Sequence, residues 1–266
     1  MRHIVFLLFT LAAVAFGQDR KVSKWEGYER VDFTHGTRPA LVVKPKTPVD
    51  GKPWIWRTEF FGHEPQADLA LLGLGWHVAY VNVKDMYGAP AAIEVMADFH
   101  AYVTKEFGLH QRAVLEGFSR GGLYAVNFAA EHPSKTAALY LDAPVLDLRS
   151  WPGGTGKGKG DAAAWKQALT VYGLTEETAK EFPGNALNRA ESLGKVKIPI
   201  IAVAGTADDV VPADENITPF AERFRAAGGL IQVIAKPGVG HHPHSLKDPK
   251  QIVDFLLRHA QWGAPQ

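Results

Sequence analysis

Short apolar runs alternate with longer amphipathic stretches along most of the chain, and this alternation predicts its secondary structure. The short runs predict strands at Ala40–Val43, Trp54–Arg57, His77–Val83, Ala113–Glu116, Ala137–Leu141, Ile198–Ala204 and Leu230–Ala235. The longer stretches predict helices at Pro65–Gly73, Ala91–Phe107, Ser119–Glu131, Thr218–Ala227 and Pro249–Ala260. Strands alternating with helices are typical of a mostly parallel sheet flanked by helices, so we predict an α/β fold. The region before Lys46 is expected to form an antiparallel edge of that sheet.

Residues 151–192 interrupt this alternation. They begin with the Gly/Lys-rich run 152–160 and continue as amphipathic helical pieces before the next strand. Disordered segments are poor in aromatic residues, and this one contains Trp151, Trp165, Tyr172 and Phe182. We therefore predict a small cap inserted over the strand ends. The spacing from Gly153 to Lys159 is that of a phosphate-binding loop, but Gly160 replaces the required Ser or Thr and no strand immediately precedes it.

The first 17 residues have the pattern of an export signal. Arg2 and His3 form a short basic start, residues 4–16 are almost wholly apolar, and cleavage is predicted near Gly17-Gln18. The apolar run is short for a membrane span and lacks a charged stop-transfer flank, although a retained anchor is the alternative. We therefore predict an exported protein, periplasmic or extracellular, with residues 18–266 as one domain. No stable membrane insertion is expected after cleavage.

Composition excludes several partners and chemistries. The chain of 266 residues has a formal net charge of +1, which gives no reason to expect a nucleic-acid partner. It contains no cysteine, so disulfides, thiol catalysis and thiolate metal sites are excluded. The oligomeric state does not follow from the sequence.

The strongest chemical signal is the sequence Gly117-Phe118-Ser119-Arg120-Gly121. The predicted strand Ala113–Glu116 precedes it, and a helical pattern follows it. Between a strand and a helix, Gly-x-Ser-x-Gly predicts a nucleophile elbow, a sharp turn that presents its serine at the end of a sheet. Ser119 is therefore the candidate nucleophile.

A serine nucleophile needs a base and an acid, and both follow it in the order that this type of sheet uses. One predicted strand leads into Gly205-Thr206-Ala207-Asp208-Asp209, and the next leads into Gly238-Val239-Gly240-His241-His242. We predict that His241 is the general base and that Asp208 orients it and stabilises its charged form. The alternatives are Asp209, Asp142 or Asp147 as the acid and His242 as the base.

The elbow, the loop 205–212 and the turn 238–241 resemble those of α/β-hydrolase esterases of the dienelactone-hydrolase and prolyl-oligopeptidase-like group. The resemblance covers essentially all of residues 18–266 and implies an α/β-hydrolase fold with serine esterase activity. In that group the acid is the Asp three residues after the loop Gly and the base directly follows a Gly. These positions correspond to Asp208 and His241. Prolyl-oligopeptidase relatives usually carry a large propeller domain, for which this chain has no room.

The oxyanion hole is predicted to use backbone N–H groups. Arg120 follows the nucleophile at a helix N-terminus and supplies the first N–H group. The loop after strand Trp54–Arg57 is expected to supply the second, from Glu59 or Phe60. Ser-His-Asp chemistry requires no cofactor, and none is predicted. We also predict no metal site in His241-His242-Pro243-His244, because Pro243 interrupts helical spacing and no carboxylate pattern accompanies the histidines.

The substrate is predicted from aromatic and cationic residues near the expected pocket. Sugar rings stack on aromatic faces, and the candidates are Trp54, Trp56, Phe60, Phe61, Tyr87 and Trp151. The nearby cations are Arg57, Arg120, Lys157 and Lys159, which could bind a carboxylate. From the aromatic and cationic candidates together, we predict that Trp151 and Arg57 contact the substrate. The sequence Ser119-Arg120 is also partially similar to the elbow of glucuronoyl esterases. That similarity implies that Arg120 assists the oxyanion or binds a uronate; a structural salt bridge is the alternative.

These features together predict a secreted serine esterase that removes acetyl, methyl or uronate ester groups from polysaccharide-derived sugars. The expected partner is therefore a small-molecule or oligosaccharide ester. The alternatives within enzymes are a serine peptidase and a general lipid or xenobiotic carboxylesterase. The alternative from another class is a non-catalytic binding protein with the same fold.

Overall fold

The computed structural model describes residues 20–263, so the predicted export signal lies outside the described residues. Within that range the strands are β1 (Lys21–Trp25), β2 (Tyr28–His35), β3 (Arg38–Lys44), β4 (Trp54–Arg57), β5 (His77–Val81), β6 (Ala113–Phe118), β7 (Thr136–Asp142), β8 (Ile200–Gly205) and β9 (Ile231–Lys236). The helices are α1 (Gln66–Gly73), α2 (Pro90–Glu106), α3 (Gly121–Glu131), α4 (Ala162–Tyr172), α5 (Glu176–Ala179), α6 (Ala190–Val196), α7 (Ile217–Ala226) and α8 (Lys250–His259).

One sheet contains all of these strands in the order β1-β2-β3-β5-β4-β6-β7-β8-β9. Strands β1, β2 and β3 pair antiparallel, and β3 pairs antiparallel with β5. From β5 to β9 every pairing is parallel. The α/β fold and its antiparallel edge are therefore confirmed. Because β4 to β9 run in one direction, the loops after their carboxyl ends meet at a single edge of the sheet.

Helices cover both faces of the sheet, and alternate residues of each strand enter different cores. In β4, Trp54 and Trp56 face the core formed with α2, α3 and α7, whereas Ile55 faces the core formed with α1 and α8. This arrangement explains why the parallel strands have almost continuous apolar sequences, since both of their faces are buried.

Most predicted boundaries differ from those of the structure by one or two residues, and two of these differences have a clear local reason. Strand β5 ends at Val81, short of the predicted Val83, where the Asn82 side chain accepts a hydrogen bond from the Lys84 N–H and turns the chain. Helix α3 begins at Gly121 and not at Ser119, because Ser119 has a φ of 49°, which no right-handed helix contains.

The segment 151–192 contains α4 and α5 and packs beside the loop that follows β5. The Tyr172 hydroxyl donates to the Tyr87 carbonyl at 2.8 Å, and the Tyr87 hydroxyl donates to Gln167 at 2.9 Å. Its Gly/Lys-rich run is tied to the loop after β8 by ion pairs of Lys157 and Lys159. Among residues 20–263, no helix is both long and apolar enough to cross a membrane.

Candidate active site

The turn between β6 and α3 places Ser119 at the carboxyl edge of the sheet. Its φ of 49° is a strained value for a residue with a side chain, and strain of this kind is frequent at active sites. The Ser119 N–H donates to the Asp142 carbonyl of the neighbouring β7 at 2.9 Å. A Cβ atom on Gly117 would lie 2.8 Å from the Gly121 carbonyl oxygen, so this tight turn requires glycine there.

Ser119, His241 and Asp208 form a continuous chain of hydrogen bonds. His241 Nε2 lies 3.0 Å from Ser119 Oγ, and His241 Nδ1 lies 2.8 Å from Asp208 Oδ2. Three loops, after β6, β8 and β9, supply these residues. The geometry is that of a nucleophile, a base and an acid that orients the base.

The Asp208 carboxylate is held in place by the turn after β8. Its second oxygen, Oδ1, accepts hydrogen bonds from the N–H groups of Val210 and Val211 at 3.0 and 2.8 Å. Burial alone would raise the pKa of Asp208, but hydrogen bonds from His241 and Val211 outweigh it, so the pKa lies below its ordinary value. Asp208 therefore remains ionised and able to stabilise a protonated His241.

The alternative acids have other partners. Asp209 is exposed and pairs with Lys159, Asp147 pairs with Arg149, and Asp142 accepts a hydrogen bond from His244. The alternative base, His242, is exposed, and its ring packs edge-on against His241. Of the candidates in the described part of the chain, Asp208 and His241 are thus the pair aligned with Ser119.

The loop after β4 lies against the elbow, as the predicted oxyanion hole requires. Thr58 Oγ1 lies 2.9 Å from the carbonyl oxygens of both Glu116 and Gly121, which joins this loop to each side of the turn. The Glu59 backbone nitrogen would be 3.8 Å from a Cβ atom on Gly121. Within residues 20–263, no backbone carbonyl accepts a hydrogen bond from the N–H of Arg120 or Glu59. Both groups therefore remain candidate oxyanion donors.

The other predicted donor, Phe60, lies on the same loop and has a φ of 54°. The residue is 37% exposed, and its ring lies 5.6 Å from the Arg120 guanidinium. Phe60 therefore lines the rim of the site.

The Arg120 side chain forms ion pairs with two carboxylates. Its Nε lies 2.9 Å from both oxygens of Glu59, its Nη2 lies 2.6 Å from Glu59 Oε1, and its Nη1 lies 3.1 Å from Asp85. The ring of Tyr87 lies 5.3 Å from the guanidinium. This is the structural salt bridge considered as the alternative to uronate binding. Asp85 is a partner that the sequence analysis did not identify, because no motif marks it.

Arg57 is placed differently from its predicted role in substrate binding. Its side chain is fully buried and pairs with Asp68 at 2.5 Å and with Glu116 at 3.2 Å. The prediction that Arg57 contacts substrate is therefore wrong, since no part of its side chain reaches solvent. Trp54 and Trp56 are also fully buried and stack on each other in the core, so neither offers a face to a sugar ring.

Trp151 lies beside a surface groove at the junction of the cap and the elbow. It is half-buried and stacks on Tyr87 with ring centroids 6.4 Å apart. The groove has a volume of about 670 Å³ and is lined by Tyr87, Arg120, Asp161, Ala163, Ala164, Lys166, Gln167, Thr170 and Val171. Arg120, which follows the nucleophile directly in the sequence, is part of this lining, whereas Ser119 itself is not. The polar residues of α4 were not predicted, since helical periodicity does not say which pocket a helix borders.

Comparisons with known proteins agree with this fold. Residues 73–263 match the model of the prolyl oligopeptidase family. No protein in the curated set of sequences matches the chain. Among solved structures, an S-formylglutathione hydrolase from Agrobacterium tumefaciens is similar, with 16% identity, a TM-score of 0.64, and coverage of 91% of this chain and 99% of that one.

Two larger peptidases are also similar to this chain. A puromycin-hydrolysing peptidase from Mycobacterium tuberculosis has 16% identity and a TM-score of 0.62 over 94% of this chain. Dipeptidyl peptidase 4 from Porphyromonas gingivalis has 16% identity and a TM-score of 0.64 over 91% of it. The matches cover only 39% and 35% of those two chains. At this level of identity the likeness shows the α/β-hydrolase fold.

Proposed function

The chain belongs to the prolyl oligopeptidase family and is a serine hydrolase of the α/β-hydrolase type, and we propose that it is a secreted esterase that cleaves carboxylic esters on sugars. The observation that carries this proposal is the hydrogen-bonded chain from Ser119 through His241 to Asp208. The family and the fold are shared by esterases and peptidases, so the choice of ester depends on the site itself.

In the proposed mechanism, Ser119 Oγ attacks the ester carbonyl carbon while His241 Nε2 takes its proton. Asp208 stabilises the resulting imidazolium through the hydrogen bond to Nδ1. The N–H groups of Arg120 and Glu59 receive the developing oxyanion. The C–O bond then breaks, the alcohol leaves with the proton from His241, and an acyl-enzyme remains. Water attacks the acyl carbon with His241 again as base, which releases the acid and restores Ser119.

The walls of the groove support a polar, hydroxyl-rich substrate. Lys166, Gln167 and Thr170 from α4 provide hydrogen-bonding side chains on its wall. Outside that wall, the half-buried Trp151 and the exposed Phe60 are the aromatic candidates. We propose acetyl or methyl esters of polysaccharide-derived sugars as the substrates. An ionised uronate is less favoured, because the Arg120 charge is already neutralised by carboxylates. An esterified uronate carries no charge and remains within the proposal.

A peptidase is the second candidate, favoured by the likeness to the two peptidases. The same triad cleaves amides, but an amide nitrogen must be protonated before it leaves. The two functions therefore differ in substrate recognition and leaving group, and a direct comparison of substrates distinguishes them.

The experiment is an assay of the purified protein on p-nitrophenyl acetate, acetylated and methyl-esterified oligosaccharides, and short peptides. We expect release of acetate or methanol from the oligosaccharides and no peptide cleavage. Ser119→Ala should lower kcat roughly 10⁶-fold and abolish labelling by a fluorophosphonate probe. The exposed Ser192→Ala is the matched control and should behave as the wild type. Peptide cleavage without ester release from sugars would overturn the proposal, and unlabelled wild-type protein would support the non-catalytic alternative.

Export is proposed from residues 1–17 alone. Expression of the full chain in a Gram-negative host, followed by mass spectrometry of the periplasmic protein, tests it. We expect a mature N-terminus at Gln18. Recovery of the full-length chain with the membrane fraction would instead support the retained anchor.

A further inference from the structure

Three histidine side chains from two loops converge beside the base His241. His63 lies between β4 and α1, and His242 and His244 follow β9. One ring nitrogen from each lies within 4.8 Å of the other two. His63 and His242 are exposed and His244 is buried, so the cluster is anchored on one side and open to solvent on the other.

His244 is oriented by a buried carboxylate. Its Nδ1 donates to Asp142 Oδ1 at 2.9 Å, and Asp142 Oδ2 accepts from the Ser245 N–H at 2.8 Å and from the Tyr140 hydroxyl at 3.1 Å. Because Nδ1 is engaged, Nε2 is the ligand atom. In zinc sites, a histidine ligand usually donates a hydrogen bond from its second ring nitrogen to a carboxylate, which fixes the tautomer and the orientation of the ring.

Hydrogen bonds also hold the loop that carries His63. The His63 N–H donates to the Phe60 carbonyl at 3.1 Å, which closes a turn. Arg57 Nη1 donates to the His63 carbonyl at 2.9 Å. Since Arg57 is itself fixed by its buried pairs with Asp68 and Glu116, the His63 backbone has a rigid support. The core arginine therefore positions one edge of the cluster.

The distances suit a small divalent cation after side-chain rotation. Zn²⁺ binds histidine nitrogen at about 2.0–2.1 Å, which places tetrahedral ligand atoms roughly 3.3 Å apart. The ring nitrogens are up to 4.8 Å apart and must therefore move closer together, which rotation of the exposed His63 and His242 rings allows. Three histidines with one open position form a donor set that suits Zn²⁺.

We propose that His63, His242 and His244 form a zinc site with an open fourth position, in which the ion joins the β4–α1 loop to the loop that carries His241. The rings of His242 and His244 lie 5.0 and 4.9 Å from that of His241, so a bound ion also fixes the neighbours of the base. This site does not depend on the proposed substrate.

The test is zinc titration of the untagged full chain by calorimetry and by equilibrium dialysis. We expect saturable binding of one zinc ion per chain and a rise in Tm on zinc addition, because a ligand that binds the folded state stabilises it. His63→Ala and His242→Ala should each weaken binding at least tenfold and remove the rise in Tm. His259→Ala, on the last turn of α8, is the matched control and should bind zinc as the wild type does.

Asp142→Asn tests the carboxylate that orients His244 and should weaken zinc binding about 10–100-fold. Ser119→Ala should bind zinc normally, which separates this site from the esterase proposal. No saturable binding by the wild type, or equal affinity in wild type and His63→Ala, would overturn the inference. Absence of esterase activity in a wild-type protein that binds zinc would contradict only the proposed function.

Discussion

Arg120 and Glu59 form a two-point ion pair that joins the nucleophile turn to the loop after β4. The Glu59 side chain is 3% exposed, and Arg120 contacts both of its carboxylate oxygens. These same two residues contribute the proposed oxyanion donors through their backbone N–H groups. The side-chain pair therefore fixes the distance between the two donors.

Glu59→Gln should lower kcat about tenfold or more and change KM much less. The variant keeps the size of the side chain but loses the charge, so the two donors are held less firmly when the oxyanion forms. Loss of a complete oxyanion donor costs about 10²–10³ in kcat, which bounds the effect. Steady-state kinetics on p-nitrophenyl acetate measure it.

Asp85→Asn is the control for this prediction, because Asp85 contacts Arg120 from a more exposed position, with 38% of its side chain accessible. It should change kcat less than about twofold, as expected for a partly exposed pair. An unchanged kcat in Glu59→Gln would show that the ion pair does not position the oxyanion donors.

Adjacent aspartates after β8 give a second, internally controlled prediction. Asp208→Asn should lower kcat roughly 10⁴-fold, because the amide favours the wrong tautomer of His241. Asp209→Asn should leave kcat within about twofold, since Asp209 pairs with the exposed Lys159. The measurement is the kcat of ester hydrolysis by each variant at pH 7. A similar loss of kcat in both variants would contradict the assignment of Asp208 as the acid.

The third prediction concerns Arg57 as a structural residue. Arg57→Met should lower the free energy of unfolding by about 3–5 kcal/mol, because it leaves the Asp68 and Glu116 carboxyls buried without a cation. Arg30→Met is the control: Arg30 pairs with Asp32 at the surface, and its loss should cost less than about 1 kcal/mol. Urea denaturation measures both. A rise in KM with unchanged stability in Arg57→Met would restore the substrate-binding role.

The parallel strands, and the convergence of Ser119, His241 and Asp208 that the structure shows, could be predicted because both follow from local patterns. A fully buried strand has a continuous apolar run, and the elbow has a strict spacing of glycines around Ser119. Strands β1 and β2 were not predicted individually, because edge strands with many exposed residues bury too little surface to produce such a run.

The features that the sequence did not predict depend on contacts between residues far apart in the chain. The sequence predicts that Arg57 is a cation near the pocket, and only the fold shows that it pairs with Asp68 and Glu116 in the core. The histidine cluster is a similar case. Local spacing around Pro243 argued against metal binding, whereas His63 and the supporting Asp142 come from distant loops.

The fourth prediction is a loss of stability in mild acid caused by buried neutral histidines. His100 is 2% exposed, and burial lowers its pKa to about 4, with Lys135 adding to the effect; His77 is similar. In the unfolded chain a histidine has a pKa of about 6.5. Between those values the unfolded state binds a proton that the folded state does not, so stability must fall as the pH falls.

Urea denaturation from pH 7.5 to 4.5 measures this dependence. Each of the two histidines should contribute a slope of at most ~1.4 kcal/mol per pH unit below about pH 6.5. His100→Gln cannot take up the proton, and its amide can still reach the Gln111 carbonyl that His100 contacts at 3.0 Å. The variant should therefore show a shallower slope than the wild type, whereas His259→Gln, half-exposed at the end of α8, should keep the wild-type slope. Equal slopes in wild type and His100→Gln would mean that His100 is protonated in the folded state, contrary to its buried position.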